Sequence, residues 1–513
     1  MGISVGSRSS LEQAEHQPSG YNEIEYPTHV NPDTHPDLLA TMAILFGMEP
    51  APVQHCRTLE IGCGDGSNVI AMAVELTEAN FTGIDLATKP IQDAQSIIDR
   101  TKLVNVAVRA MDLLNITPDF GRFDYIIVHG VYSWVPEPVQ EKILSICKEN
   151  LNPNGVALVS YNAYPGCYIR QAVRELMLFG LEGEMRSDAV QKGIATLKLF
   201  GDAAPESGIW KTILQGELNR LSKLPDRITF HDELSPSYHP LYFADFVAAA
   251  KRHGLQFLSD ASLRDMIAPP VKDEVVEQLK ALARGDDVVY YQYLDLLLFR
   301  DFRRTLLCHQ DVTLNRKGLR DQLAPLLIAS PLTQSSKEPD GGVGFRNQRG
   351  PGSLQTNNPV IVAALQYLDD RWPQAAPFKE LVAATLKHVA MEHHDEARST
   401  LIEAILQLTC NHLMDLRSYA GSAIKQAGDR PLASSLARAQ AKTGTVVTTL
   451  LHTQIQIQHE RTRRLLESLD GTRDRRALVD YFLTQYQDIQ RPGLSREIDK
   501  LVQEFGRLGL LIA

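Results

Sequence analysis

Arg57-Thr58-Leu59-Glu60-Ile61-Gly62-Cys63-Gly64-Asp65-Gly66 is an apolar run that enters three closely spaced glycines and leaves them for the helical pattern Asn68-Val69-Ile70-Ala71-Met72-Ala73. A strand, a glycine-rich turn and a helix start make a cradle for a nucleotide-like ligand. Glycine lets the backbone adopt conformations closed to residues with a Cβ, and the helix start offers unpaired N–H groups. The spacing Gly62-x-Gly64-x-Gly66 departs from the G-x-G-x-x-G dinucleotide fingerprint, which favours an adenosyl ligand without a pyrophosphate over a nicotinamide dinucleotide.

Two acids extend the pattern. Asp85 closes Phe81-Thr82-Gly83-Ile84 about twenty residues after the turn, where a carboxylate suits a ribose diol. Asp112 closes the run 106–111, where it can accept hydrogen bonds from an adenine amino group. Together Glu60 to Gly66, Gly83-Ile84-Asp85-Leu86 and Met111-Asp112 resemble the cofactor motifs of class I S-adenosylmethionine-dependent methyltransferases. The resemblance implies S-adenosyl-L-methionine as cofactor. It implies cofactor contacts from Glu60, Gly62, Cys63, Gly64, Asp85, Leu86, Asp112, Leu113 and His129, with loop support an equal alternative for His129.

Between residues 57 and 162 strand-like runs (57–61, 81–85, 106–112, 123–129, 156–161) alternate with helical ones, which predicts an α/β fold with a parallel sheet covered on both faces. Ligands in such sheets sit beyond the carboxyl ends of the strands. The fourth and fifth ends are followed by His129-Gly130-Val131-Tyr132-Ser133-Trp134-Val135-Pro136 and Tyr161-Asn162-Ala163-Tyr164-Pro165-Gly166. Tyr132, Trp134, Tyr161 and Tyr164 are candidates to line an acceptor pocket, with Asn162 to orient an amine; packing against neighbouring helices is the alternative for each aromatic.

These loops are similar to those of bacterial protein lysine methyltransferases that carry a methyltransferase regulatory domain, whose best-known members modify outer-membrane proteins. The likeness continues more loosely through His231-Asp232-Glu233-Leu234, Tyr242-Phe243, Arg303 to His309 and Leu469 to Asp474, and so spans most of the chain. It implies a Rossmann-like methyltransferase domain, a mainly α regulatory region and a C-terminal winged-helix module. Two other readings stand beside it: a small-molecule or RNA methyltransferase, and a cofactor-sensing regulatory protein.

The expected organisation is a disordered start at 1–20 and a cofactor-binding domain at 21–265 with a helical insertion at 167–226. A helical bridge or middle regulatory domain at 266–330, a loop or hairpin at 331–358 and a winged-helix-like region at 359–513 follow. A helix at 37–46 stopped by Gly47 is placed to close over the cofactor, with Tyr26 and His35 near it, or else merely to cover the sheet. Residues 227–231 and 255–258 read as strands, 241–253 as an amphipathic helix and 272–307 as helical. The aromatic set Tyr290, Tyr291 and Tyr293 reads as packing. The glycine-rich stretch contains Gly341-Gly342 and two short runs, 343–346 and 353–356, able to pair as a wing. A faint echo relates Leu365-x-x-Leu368-Asp369 with 379–382 to Leu466-x-x-Leu469-Asp470 with 476–479, each a helix, turn and helix. Since every proposed cofactor ligand precedes residue 135, a chain ending near Pro331 is expected to keep the whole cofactor site.

Composition bounds the partners. The 513 residues carry 52 Lys and Arg against 62 Asp and Glu, 52 − 62 = −10, which disfavours a protein held mainly by nucleic-acid phosphates. Arg461, Arg463, Arg464, Arg473, Arg475 and Arg476 are interleaved with acids and leucines and read as a solvated helix face. Six scattered cysteines without a C-x-x-C pair suggest neither zinc nor disulfides and place the chain in the cytoplasm. No run approaches the length of a membrane span, and 1–20 lack the apolar core of a signal peptide. The expected partner is a protein substrate with accessible lysines, with nucleic acid disfavoured, no metal, and a homodimer left open.

Overall fold

A computed structural model describes residues 24, 26–181, 188–267, 269–337, 342–486 and 490–513; the expected disordered start, Tyr21 to Glu23, Glu25 and Gly341 lie outside the described residues. At its centre is a seven-stranded sheet of order β3-β2-β1-β4-β5-β7-β6. The strands are β1 Arg57–Ile61, β2 Asn80–Asp85, β3 Val106–Ala110, β4 Phe123–Val128, β5 Leu151–Asn162, β6 Leu255–Asp260 and β7 Phe302–His309. β1 to β5 pair in parallel, with Glu60 opposite Gly83 and Ile61 opposite Ile84. Ile126, Ile127, Val128, Val156, Ala157, Leu158 and Val159 are all fully buried, as strands covered on both faces require.

The sheet is mixed rather than wholly parallel, because β7 runs antiparallel between β5 and β6. This corrects the helical reading of 272–307. Helices Asp273–Ala283 and Asp287–Leu298 form, but Phe299 turns into the left-handed region at φ 51° and the chain re-enters the sheet. The arginine pair Arg303-Arg304 stands inside the stretch expected as helical. Arg303 is 2% exposed, with its guanidinium 2.7 Å from Asp295 and 3.4 Å from Asp260. The sheet is therefore completed at residue 309 and not near 265.

The insertion forms helices Cys167–Phe179, Ala189–Ala203 and Ile209–Leu221, with a small core of Val173, Met177, Leu197, Leu214 and Leu221. Residues 227–231, expected as a strand, lie in the helix Asp226–Glu233. The alternation of Ile228 and Phe230 is too short to set a period, and Thr229 with Glu233 buries one helical face. Glu233 is held there by Arg170 at 3.0 Å and Arg220 at 2.8 Å.

Beyond the main sheet, β8 Leu327–Ala329 pairs with β12 Ala376–Pro377 and β13 Asp415–Arg417. A second small sheet joins β9 Leu332–Lys337, β10 Val343–Asn347 and β11 Ser353–Thr356, with Phe345 opposite Leu354 as a wing. Helices Pro359–Asp369, Phe378–Leu386 and His394–Cys410 pack into the main core. Residues 433–511 build a separate core with helices Ser435–Thr443, Glu460–Ser468, Arg475–Gln485 and Arg491–Arg507 and the hairpin β14 Val446–Thr448 with β15 Gln454–Gln456. The region expected as one unit at 359–513 thus divides between two cores. Each half of the faint repeat supplies one helix–turn–helix. Among the described residues no helix is long and apolar enough to cross a membrane.

Candidate cofactor and acceptor site

β1 ends at Ile61 and the chain turns through Gly62 and Gly64 at φ 78° and 54°, a region that favours glycine. A Cβ on Gly62 would lie 2.4 Å from Val131 Cγ2, and one on Gly64 2.7 Å from Thr28 Cγ2. The turn is tied to β2. Gly64 donates its N–H to Asp85 Oδ2 at 2.9 Å, and Ala87 donates to Asp85 Oδ1 at 2.8 Å. Burial raises the pKa of Asp85, while the N–H groups of Ala87, Gly64 and Leu86 act in the opposite direction. Asp65 Oδ1 accepts the N–H of Ser67, the first residue of the helix Ser67–Glu75 that leads away from the turn, at 2.9 Å.

Glu60 stands one residue before the end of β1 and is 5% exposed. Asn68 Nδ2 donates to its Oε1 at 2.7 Å, whereas Oε2 is buried without a partner. Burial pushes the carboxyl up to about 8. A buried carboxylate oxygen with no donor is costly unless a ligand supplies one.

Met111 donates its N–H to the carbonyl of Asp85 at 2.8 Å, so the two strand-end acids are neighbours. Asp112 Oδ1 caps the short turn Leu113–Asn115 through the N–H of Leu114 at 2.9 Å. His129 follows β4, edge-on to Phe302 at 6.1 Å between ring centroids. Burial first, then Arg304, lowers its pKa to about 4, which leaves the ring neutral. Cys63 is buried beneath the turn, its Sγ 2.9 Å from where a Cβ on Gly83 would stand.

The segment before the first helix, rather than the helix itself, crosses this cradle. Helix Pro36–Leu45 is sunk in the core through Leu39, Met42 and Leu45, so of its two expected roles the structure assigns it that of cover. Thr28 Oγ1 reaches Ser67 Oγ at 3.3 Å, Asn31 N–H donates to Asn68 Oδ1 at 3.0 Å, and Asp33 pairs with Arg304. Tyr26 packs edge-on against His231 at 5.6 Å, while His35 lies 3.2 Å from Glu75.

The aromatic loops separate into buried and open members. Tyr161 stacks on Phe246 at 4.3 Å and its hydroxyl is 3.0 Å from Thr305 Oγ1; Tyr132 meets Phe246 edge-on at 5.3 Å. At 1% and 2% exposure both are packed in the core, as in the packing alternative the sequence left for each aromatic. The alternation of β5 turns Tyr161 onto the face covered by helix Phe243–Arg252. Tyr164 is half-buried and stacks on Tyr168 at 4.2 Å, with Tyr242 at 5.4 Å. Trp134 lies beside Tyr238 at 5.2 Å with the Arg170 guanidinium 5.6 Å from its ring. Asn162 donates its backbone N–H to Ser133 Oγ, in the short turn Tyr132–Trp134 that follows β4, at 2.8 Å, and its carboxamide has no protein partner among the described residues.

Sequence reading missed Thr28, Asn31, Asn68, Tyr168 and Phe302. Asn68 alone carried a usable signal, a polar residue two positions past the last glycine on an otherwise apolar helix face. The others reach the site only through tertiary packing.

Three families match the chain: residues 52–216 the "Methyltransferase domain", 225–309 the "Predicted methyltransferase regulatory domain" and 429–493 the "PKMT, C-terminal winged helix domain". The chain is 30% identical over 500 residues to uncharacterized protein RP789 of Rickettsia prowazekii, covering 95% of this chain and 89% of that one. It is 34% identical over 240 residues to uncharacterized protein RP028 of the same organism, covering 46% of this chain and 96% of that one. The structure of PKMT2 from Rickettsia typhi in complex with AdoHcy is similar over 95% of this chain and all of that one, with a TM-score of 0.83 and 26% identity.

Proposed function

The chain belongs to the class I S-adenosylmethionine-dependent methyltransferases that carry a methyltransferase regulatory domain and a PKMT-type C-terminal winged helix, and from that premise we propose that its acceptors are lysine side chains of proteins. The observation that supports this reading is the open aromatic group Tyr164, Tyr168 and Tyr242 at the end of β5, beside the unpartnered carboxamide of Asn162. Ring faces hold an ammonium and then its alkyl stem, and a carboxamide oxygen can orient an amine.

The cradle fits S-adenosyl-L-methionine on its own chemistry. The backbone at Gly62 and Gly64 leaves no room for side chains, Asp85 and Asp112 end adjacent strands as acceptors, and Glu60 Oε2 waits buried for a donor. We assign Asp85 to the ribose hydroxyls, Asp112 to the adenine amino group and Glu60 to the cationic amino group of the amino-acid end, with Cys63, Leu86 and Leu113 around them. When bound, the cofactor supplies an electrophilic methyl group on a sulfonium. The chain's part is to bind, orient and keep water out. A lysine must lose its proton before its nitrogen can form the new bond, and an apolar wall such as Trp134 favours the neutral amine. Neutral His129 adds no positive charge beside a cationic ligand.

We place the chain in the cytoplasm, since its six cysteines are free and buried. The test is mass-spectrometric mapping after incubation of a protein extract with the chain and methyl-labelled S-adenosyl-L-methionine. Label on lysine supports the proposal. Label confined to RNA or small molecules contradicts it.

A further inference from the structure

A loop of the C-terminal domain reaches the cofactor cradle. Between β14 and β15 the chain turns through 449–453, where Thr449 donates its N–H to Thr453 O at 2.8 Å and the two hydroxyls pair at 2.8 Å. At the tip His452 adopts φ 51°, a left-handed conformation that a non-glycine residue holds at some cost. The side chain, 3% exposed, enters the methyltransferase domain, tilted against His35 at 4.9 Å between ring centroids. Its Nε2 stops 2.8 Å from Asn68 Oδ1.

The surrounding donors settle the direction of this bond. The backbone N–H of Asn31 can only donate, and it reaches Asn68 Oδ1 at 3.0 Å. That fixes the carboxamide with its oxygen toward Asn31 and His452, and its NH2 toward Thr34 Oγ1 at 3.0 Å and Glu60 Oε1 at 2.7 Å. His452 Nε2 must then carry the proton, and Nδ1, which is buried without a partner, is the bare nitrogen of that tautomer. Every hydrogen-bonding site of Asn68 is occupied. Glu60 Oε1 is thereby locked, and Oε2 is the oxygen left for a ligand.

We infer that His452 is a positioning residue for cofactor binding, holding Glu60 through Asn68 at the glycine turn, so that the C-terminal domain supports a site whose proposed cofactor ligands all precede residue 135. The inference rests on the cofactor reading of that site. A truncation near Pro331, expected from the sequence to keep the whole cofactor site, is accordingly not neutral for the cofactor, because Asn68 loses one of its four partners. Linkage makes the relation reciprocal: a bound cofactor also favours the docked C-terminal domain.

The experiment uses the full chain and AdoHcy as calorimetric probe. His452→Leu keeps apolar volume but has no donor, and His452→Gln places an amide N–H near the position of Nε2. His452→Leu should weaken AdoHcy binding about ten-fold, the size of one hydrogen bond in a charged chain, while His452→Gln stays within about three-fold. KM for S-adenosyl-L-methionine should rise in the Leu variant with KM for a protein acceptor unchanged. His452→Phe is the donor-free variant to use if His452→Leu does not fold. Wild-type affinity in a folded donor-free variant overturns the inference, as does equal loss in the Gln and donor-free variants with matching falls in melting temperature, which marks packing alone. Failure of the wild-type chain to bind AdoHcy overturns the cofactor reading together with it.

Discussion

Asp85 accepts the backbone N–H of Gly64 at 2.9 Å, so the acid that ends β2 also fixes the turn that follows β1. One carboxylate therefore shapes the cradle and, in the proposed cofactor reading, also meets the ribose hydroxyls. Asp85→Ala removes both roles and should weaken cofactor binding about ten-fold or more. Calorimetry checks this. An unchanged affinity in a folded variant would take Asp85 out of the site.

Glu60 titrates with folding. Its carboxyl is pushed from 4.5 up to about 8 by burial, so the folded chain without ligand holds a proton that the unfolded chain releases. Its contribution to stability is complete below about pH 4.5 and is lost as pH rises towards about 8. Glu60→Gln should flatten the fall in melting temperature across that window. Binding a cationic amine needs the carboxylate, so AdoHcy should bind with proton release near pH 7, visible as a buffer-dependent enthalpy in the wild type and absent in Glu60→Gln. Parallel melting curves and no buffer dependence would contradict this account.

The aromatic residues should divide by burial. Tyr161→Ala opens the core around Phe246 and is expected to cost about 3–5 kcal/mol of stability. Trp134→Ala should lower turnover on a protein acceptor while cofactor affinity stays within a few-fold and melting temperature holds. Equal losses of binding and turnover in Trp134→Ala would move that residue to the cofactor.

Five of the six arginines singled out in the winged-helix domain, all but Arg476, already have protein partners. Arg461 pairs with Glu497 at 3.7 Å, Arg464 with Glu460 at 2.6 Å, Arg473 with Asp470 at 3.3 Å and Arg475 with Asp499 at 3.6 Å, while Arg463 donates to the carbonyls of Ile457 and Gln458. Duplex DNA should bind weakly and without a steep salt dependence, as fluorescence anisotropy across about 50–200 mM salt would measure. A slope equivalent to several phosphate contacts would favour the regulatory reading.

The cofactor half of the molecule was legible because its chemistry is local in sequence: Gly62 and Gly64 need left-handed backbone, and Asp85 closes an apolar strand. β7 was hidden because the partners that neutralise Arg303, Asp260 and Asp295, lie on other elements and leave no periodic trace. Tyr161 and Tyr164 looked alike in one loop, yet Tyr161 is the last residue but one of β5 and packs under Phe246, whereas Tyr164 lies past the strand end in the turn before the helix Cys167–Phe179. His452 could not be read at all, since a contact across 384 positions depends on how two domains meet.

The central claim is methyl transfer to protein lysine at the site bounded by Asp85, Glu60 and Trp134. Its most direct test is intact-protein and peptide mass spectrometry of an extract incubated with methyl-labelled S-adenosyl-L-methionine and either the wild-type chain or Asp85→Ala. The account predicts labelled lysines with the wild-type chain and at least a ten-fold loss with the variant at limiting cofactor. Label on nucleic acid or small molecules with none on lysine, or equal lysine labelling by both chains, would contradict it.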